Sequence, residues 1–208
     1  GGGGERGSHG GPRGVGKLVK GAVDWGAPPP VQGGETSGAV EEKADYYAQA
    51  IRVEGSGYRF DLVTPTQTYK DVYLKAMGRH NLFNAIGALA VLDTGGLPLD
   101  KALASLRTFK GIRRRMEVFS LENKTVVDDY AHHPEEINAV LKTISEFYPD
   151  KRNMVVFQPH LFSRTQDFMQ EFVEVLTQFD EIVLMDIYPA REEPIIGVSS
   201  DVLLELIQ

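Results

Sequence analysis

The chain has 208 residues, 42% of them hydrophobic, which is enough to bury the core of one large domain or two small ones. It contains no cysteine, so disulfides, thiolate metal ligands and a cysteine nucleophile are excluded. Its formal net charge of -7 repels a polyphosphate backbone and argues against nucleic acid as the main partner.

The N-terminal segment, residues 1–40, is rich in glycine and proline and has neither a helical nor a strand period. We expect residues 1–38 to be disordered or foreign to the rest of the chain. The string GPRGVGKL (11–18) has the glycine and lysine spacing of a phosphate-binding loop. However, Leu18 stands where a hydroxyl should hold magnesium, and no predicted strand precedes the string. We interpret it as a chance match.

Regular secondary structure is predicted to begin near Tyr58. YRFDLVT and TYKDVYL alternate apolar and polar residues around PTQ, which predicts a hairpin of two half-buried strands. HNLFNAIGALAVLDTGG then predicts a helix, and LDKALASLRTF predicts a shorter one. The first helix has four apolar residues on one face: Leu82, Ile86, Leu89 and Ala90. We place the end of this part near Met116 to Thr125, where EVFSLENK links it to the next.

The second part repeats a strand followed by a helix three times. The pairs are KTVVDDY with PEEINAVLKTISEFY, NMVVFQ with RTQDFMQEFVEVLTQF, and EIVLMD with SSDVLLELIQ. Their apolar strands are expected to be buried on both faces, as in a parallel sheet covered by helices. The predicted fold class is therefore α/β with a doubly wound parallel sheet. No apolar run approaches the ~20 residues of a membrane-spanning helix, and no secretory signal is evident, so we expect a cytoplasmic protein that binds no membrane.

Ligands of an open parallel sheet bind beyond the carboxyl ends of its strands, so the loops after the strands are the candidate site. All three loops are polar, and we expect them to meet at one edge of the sheet, which we call the rim. They contain Asp128, Asp129, Tyr130, His132 and His133; His160, Ser163 and Arg164; and Asp186, Tyr188, Arg191, Glu192 and Glu193.

Several of these residues have a structural alternative. Either Asp128 or Asp129 could simply favour the start of the following helix, although Asp129, nearer the loop tip, is our ligand candidate. His132 and His133 are adjacent, whereas metal-binding pairs are usually three to five residues apart, so we expect no metal site here. A hydrogen-bonding or proton-transfer role suits His132 better, because imidazole changes charge near neutral pH.

Arg164 of these loops, the arginine run before them and two asparagines of the first part also have possible structural roles. Arg164 opens a helix, where an acid would suit the helix dipole better, and this favours anion binding. The run Arg113–Arg115 could be a solvated surface cluster. Asn81 could be only a helix N-cap, whereas Asn84 lies inside the helix and lacks that explanation.

Five strings of this sequence closely resemble consecutive motifs of the Mur ligase family, in the same order and at similar spacing. The similarity covers about residues 41–208, and it is specific because five separate motifs agree. It is strongest to the members that ligate L-alanine to UDP-N-acetylmuramate. The strings are GRHNLFNA (78–85), FKGIRRRMEVF (109–119), VVDDYAHHPEEI (126–137), FQPHLFSRT (157–165) and DIYPAREEPIIG (186–197).

In that family a UDP-substrate domain precedes a central ATP-binding domain, and a Rossmann-like domain follows it and closes over the site. The resemblance implies that residues 41–117 are the C-terminal part of the central domain and residues 118–208 the N-terminal part of the Rossmann-like domain. The residue roles that it implies are nucleotide binding by Asn81, Asn84, Arg115 and Asp129, substrate binding by His132, His160 and Arg164, and catalysis by His132 and Arg164.

The implied reaction uses ATP and Mg²⁺ to convert the muramate carboxylate into an acyl phosphate, which the amine of L-alanine attacks. The chain departs from the family pattern in three ways. The family's phosphate loop and magnesium ligands belong before Glu41 and are absent, Leu161 replaces a frequent arginine, and the last domain stops partway. We therefore expect the 208-residue chain to be inactive alone. The alternatives are a sibling ligase that recycles a tripeptide onto the same UDP-sugar, and a non-catalytic nucleotide-binding fragment.

Overall fold

The structure, a computed structural model, describes residues 44–208, so the predictions for residues 1–38 and for the phosphate-loop match lie outside the described residues. It begins with a three-stranded antiparallel sheet formed by β1 (Tyr47–Glu54), β2 (Gly57–Val63) and β3 (Thr68–Leu74), in that order. The predicted hairpin of β2 and β3 is confirmed.

Strand β1 shows that the prediction of regular structure beginning near Tyr58 is wrong. This strand forms one edge of the sheet, and most of its side chains are exposed. Its pairing with β2 shifts between Gln49 and Arg52, where Ala50 has a positive φ of 51°. An edge strand with a bulge lacks the clean alternation of apolar and polar residues by which strands are recognised in a sequence.

Two helices cover the inner face of this sheet. They are α1 (Arg79–Thr94) and α2 (Leu99–Leu106). The apolar face predicted for α1 is confirmed, because the four residues that define it are all buried. They pack against Tyr58, Phe60 and Leu62 of β2, which are 0% exposed. Burial of each such side chain contributes about 1.5–3 kcal/mol, so this face holds the first half of the chain together.

The segment predicted to link the two parts contains strand β4 (Glu117–Leu121), which forms a hairpin with β5 (Lys124–Asp128). The connection has two residues, and Glu122 adopts a positive φ of 52° there. Within the described chain β5 pairs with β4 rather than with the parallel strands that follow. Val126 is 42% exposed, so the prediction that β5 is buried on both faces is wrong.

The remaining elements alternate helix and strand, which confirms the α/β class. They are α3 (Pro134–Phe147), β6 (Met154–Phe157), α4 (Phe162–Asp167), α5 (Met169–Leu176), β7 (Glu181–Leu184) and α6 (Ser200–Ile207). Strands β6 and β7 are parallel, as predicted. The single helix predicted after β6 is instead two helices, α4 and α5, which meet at Phe168.

The parallel strands are buried on one face only. Val155, Phe157, Ile182 and Leu184 pack on the cluster that α3, α5 and α6 form. The outward residues Met154, Val156 and Val183 are 56%, 62% and 45% exposed, so the prediction of burial on both faces is wrong here too. Among residues 44–208, no helix combines the length and the apolar character needed to cross a membrane.

The two halves meet at a group of side chains that we call the junction cluster: Tyr58, Arg79, Glu146 and Phe147. The Tyr58 hydroxyl donates to Glu146 Oε2 at 2.6 Å, and Arg79 Nη2 donates to Glu146 Oε1 at 2.6 Å. Phe147 lies edge-on to the Tyr58 ring with centroids 5.1 Å apart. Burial and the neighbouring Glu146 carboxylate raise the pKa of Tyr58, so it remains a neutral donor. One carboxylate at the end of α3 therefore binds both β2 and α1.

The variant Glu146→Ala should lower the free energy of unfolding by about 1–3 kcal/mol, because it leaves the fully buried Tyr58 hydroxyl without its partner. Urea denaturation of the chain measures this change. The matched control is Ser145→Ala, the exposed neighbour on the same helix, which should change stability by no more than about 0.5 kcal/mol. Equal stability of the two variants would contradict the importance of the junction cluster.

Candidate functional site

The loops after β6 and β7 are joined directly to each other. Leu161 N donates to Tyr188 O at 2.9 Å, and Tyr188 N donates to Pro159 O at 2.8 Å. The rings of His160 and Tyr188 stack with centroids 5.4 Å apart. These contacts lie just beyond the carboxyl ends of the two parallel strands, where the sequence places the site.

His132, from the loop after β5, reaches the same place. Its Nδ1 lies 2.8 Å from the carbonyl oxygen of Tyr130, and a carbonyl can only accept, so Nδ1 carries the proton. In the tautomer with this proton, Nε2 is the acceptor of the ring. The His132 and His160 rings are 6.0 Å apart, and the Tyr130 ring is 5.3 Å from that of His132. The structure thus brings two of the predicted substrate residues together.

The adjacent His133 has a structural role. It is the N-cap of α3, where its Nδ1 accepts from Glu135 N at 3.4 Å and its ring packs against Phe168 at 4.5 Å. Glu136 completes the capping box by accepting from the N–H groups of His132 and His133. Burial raises the pKa of Glu136, but those two N–H groups and His132 outweigh burial and leave the pKa below its usual value. Residues 44–208 contain no group of three side chains suited to hold a metal ion.

Arg164 is the third of the six residues of α4 and is half-buried beside His160. The prediction that it opens the helix is wrong, because α4 begins at Phe162 and Arg164 also lies in the last turn, where a cation suits the helix dipole. Its Nη1 is 3.5 Å from both the Nδ1 and the carbonyl oxygen of His160, at the outer limit of hydrogen bonding. Within the described part of the chain, no carboxylate lies within 4.0 Å of its guanidinium group. Burial, Arg164 and His132 hold the pKa of His160 below its ordinary value, so its ring is neutral at pH 7. A half-buried cation without a carboxylate partner is suited to bind an anion.

Asp129 connects this rim to the chain that enters the second half. One carboxylate oxygen accepts from Met116 N and the other from Ala131 N, both at 2.8 Å. Tyr130 N also donates to Arg114 O at 2.9 Å, and the Arg114 guanidinium group lies over the Tyr130 ring at 4.9 Å. The structural role of Asp129 therefore differs from the predicted alternative: it binds backbone N–H groups of two loops, whereas the acids in the first turn of α3 are Glu135 and Glu136. Each of its oxygens keeps a lone pair for a ligand.

Asn81 and Asn84, the two asparagines of α1, differ in their hydrogen bonds and exposure. The helix begins after its N-cap Gly78, so the interpretation of Asn81 as an N-cap is wrong. Asn81 Nδ2 instead donates to Met77 O at 2.7 Å, which leaves Oδ1 as its acceptor. Asn84 is exposed. Arg115 is also exposed and, within residues 44–208, has no carboxylate within ion-pair distance.

His80 is a candidate that the sequence analysis missed. Burial lowers the pKa of His80, and the charges of Asp129 and Arg115 act on it in opposite directions. Gly78 has a φ of 91°, and a Cβ there would lie 2.5 Å from Cε1 of His80, so only glycine lets this ring fold back over the start of α1. The available signal was the string GRHN, in which this glycine and histidine occur together.

Comparison with protein families identifies residues 114–207 as matching the Mur ligase, glutamate ligase domain. A UDP-N-acetylmuramate–L-alanine ligase of Flavobacterium johnsoniae is 48% identical over 168 residues, which are 80% of this chain and 37% of that protein. The protein of the same name from Porphyromonas gingivalis is 40% identical over 83% of this chain and 38% of its own length. The chain thus spans less than two-fifths of the length of these curated relatives.

Solved structures agree on the fold. A UDP-N-acetylmuramate–alanine ligase from Thermotoga maritima superposes with a TM-score of 0.61 at 29% identity, covering 71% of this chain and 33% of that one. A folylpolyglutamate synthase from Mycobacterium tuberculosis, solved with ADP and AMPPCP, gives a TM-score of 0.62 at 23% identity and covers 79% and 36% of the two chains. The second likeness concerns the fold alone.

The pKa of His160 tests the geometry of the rim. Replacing Arg164 by glutamine removes a neighbouring positive charge, so the pKa of His160 should rise towards its ordinary value. Heteronuclear NMR titration of the imidazole nitrogens measures this shift. The matched control is Arg191→Gln, an exposed arginine that is not among the causes of the shift, and it should leave the titration unchanged. An unmoved titration in Arg164→Gln would mean that this guanidinium group does not lie beside His160.

Proposed function

Because the chain belongs to the Mur ligase family, we propose that it forms part of an ATP-dependent ligase that joins L-alanine to UDP-N-acetylmuramate for peptidoglycan precursor synthesis. The observation that carries this proposal is the rim, where Arg164 has no carboxylate partner among the described residues and lies beside His160, next to His132. The names of the relatives support the choice of substrates. A cytoplasmic location is part of the same proposal.

Two of the three substrates of such a ligase, ATP and UDP-N-acetylmuramate, are anions that must approach each other. In this reaction the muramate carboxylate attacks the γ-phosphate of ATP, which forms an acyl phosphate and releases ADP. The amine of alanine then attacks the acyl carbon, which forms the amide bond and releases phosphate. Arg164 would neutralise a substrate carboxylate or the phosphoryl oxygens as charge develops there. An ammonium group cannot attack, so a proton must leave alanine before the amide bond forms. His132 is suited to accept this proton at Nε2, because its Nδ1 is already committed to the Tyr130 carbonyl.

The nucleotide would bind on the other side of the rim. Oδ1 of Asn81 and the exposed amide of Asn84 can accept from and donate to the adenine base. The exposed Arg115 would bind phosphate oxygens, and Asp129 would contact the nucleotide with the lone pairs that its two backbone bonds leave free. Bound Mg²⁺ would neutralise phosphate charge, and we assign it no ligand among residues 44–208.

The two halves of the chain would belong to different domains of the ligase. We propose that residues 41–117 belong to the central ATP-binding domain and residues 118–208 to the Rossmann-like domain. His80, whose pKa responds to the charges of both Asp129 and Arg115, would add an imidazole near the nucleotide.

The activity test uses a ligase of the relatives' length that contains residues 41–208, and measures phosphate release with ATP, Mg²⁺, UDP-N-acetylmuramate and L-alanine. Arg164→Ala should lower kcat/KM by about 10²–10³, the usual effect of losing one charge-stabilising group. Arg191→Ala, which removes an exposed arginine of the neighbouring loop, should retain activity. Release that requires a tripeptide instead of L-alanine would identify the recycling reaction. Unchanged kinetics in Arg164→Ala would contradict the role of this arginine.

A further inference from the structure

We propose that Glu192 is a positioning residue that holds Arg164 and His160 in place for the ligase reaction. This inference rests on the proposed function. Glu192 Oε2 accepts a hydrogen bond from Ser163 N at 3.0 Å, and Oε1 accepts one from Ser163 Oγ at 2.6 Å. Both carboxylate oxygens of a residue in the loop after β7 therefore bind one residue in the first turn of α4.

Helix α4 needs an external partner at this point. Its N-cap is Leu161, whose hydrocarbon side chain cannot accept a hydrogen bond from the N–H groups of the first turn. Leu161 also has a φ of 76°, a left-handed conformation that is costly for a branched side chain. Thr165 Oγ1 donates to Leu161 O at 2.8 Å and stabilises the turn from inside. Glu192 supplies the missing acceptor from 29 residues further along the chain.

The loop that carries Glu192 is itself held in two places. Tyr188 is bound to the backbone on either side of His160 and stacks on its ring. Glu192 N then donates to Pro189 O at 2.9 Å, which forms a turn that directs the carboxylate back to Ser163. His160 and Ser163 thus each bind a different point of the same short loop.

Arg164 is connected to both of these attached residues. It follows Ser163 directly and reaches back one helical turn to His160. Loss of the Glu192 contact would free the first turn of α4 on one side and let the guanidinium group move relative to the imidazole. Displacements of this size at a reacting site have large effects on rate.

The same contact keeps Arg164 available to substrate. The charge of Arg164 helps to lower the pKa of Glu192, yet among residues 44–208 the two side chains form no ion pair within 4.0 Å. The Ser163 hydroxyl and N–H together lower the pKa of Glu192 and occupy its two oxygens. Because neutral donors satisfy this carboxylate, the guanidinium group remains free for a substrate anion.

The test again uses the ligase of the relatives' length. Glu192→Gln should lower kcat/KM for L-alanine-dependent phosphate release by about 10- to 100-fold, and leave the KM for ATP unchanged. Ser163→Ala, which removes only the hydroxyl bond, should give a smaller loss in the same direction. Glu205→Gln is the matched control, since this glutamate of α6 is exposed, lies outside the candidate loops and should behave as the unmodified enzyme does.

A second arm separates positioning from a general effect on folding. If Glu192 acts through Arg164, then Glu192→Gln should cost little further activity in an Arg164→Ala background. Circular dichroism of every variant shows whether the fold persists, and Ser163→Ala serves in place of Glu192→Gln if the latter does not fold. Additive losses in the double variant, or Glu192→Gln kinetics equal to those of Glu205→Gln, would overturn the inference. Failure of the unmodified ligase to release phosphate with L-alanine would instead overturn the proposed function.

Discussion

The arrangement of the candidate site depends on the carboxylate of Glu146, which binds Tyr58 and Arg79 at the same time. Arg79 is the first residue of α1 and immediately precedes His80 and Asn81. Glu146 is near the end of α3, a helix of 14 residues and therefore about 21 Å long, which begins just after His132. Glu146 anchors the C-terminal end of α3 and so sets the direction of this helix. The direction of the helix in turn sets the position of the His132 loop at its N-terminal end.

A second connection lies close to the ligands themselves. Asp129 binds the backbone of Met116, and Arg114 packs on the ring of Tyr130. Arg114 and Met116 both have positive φ values, 57° and 50°. Such conformations persist only where surrounding contacts require them, and they often occur at functional sites. The chain between the halves is therefore shaped by the residues that it contacts on the rim, which couples the position of Arg115 to that of Asp129.

The parts of this structure that sequence could predict are those with a regular period or a local signal. The buried face of α1, the hairpin of β2 and β3, and the parallel pair β6 and β7 all followed from such patterns. Strand β1 and the break at Phe168 did not, because one is a bulged edge and the other is a single residue with a non-helical backbone inside an apolar helical pattern. Polar loops after the strands identified the rim, since parallel strands end at a common edge.

The contacts within the rim could not be predicted from the sequence. The pairing of Glu192 with Ser163 spans 29 residues and leaves no local pattern in the sequence. The sequence also could not decide that His133 caps a helix while His132 faces His160, because adjacent histidines look alike until the backbone directs them. Likewise, both oxygens of Asp129 are committed to backbone N–H groups that only the fold brings within reach.

A crystal structure of a ligase of the relatives' length containing residues 41–208, bound to a non-hydrolysable ATP analogue, UDP-N-acetylmuramate and L-alanine, would show whether the substrates bind at the rim. We expect a substrate carboxylate about 2.7–2.9 Å from the Arg164 guanidinium group. We also expect the alanine amine beside His132 and the adenine base against Asn81 and Asn84. Substrates bound away from this rim, with Arg164 directed into solvent, would contradict this expectation.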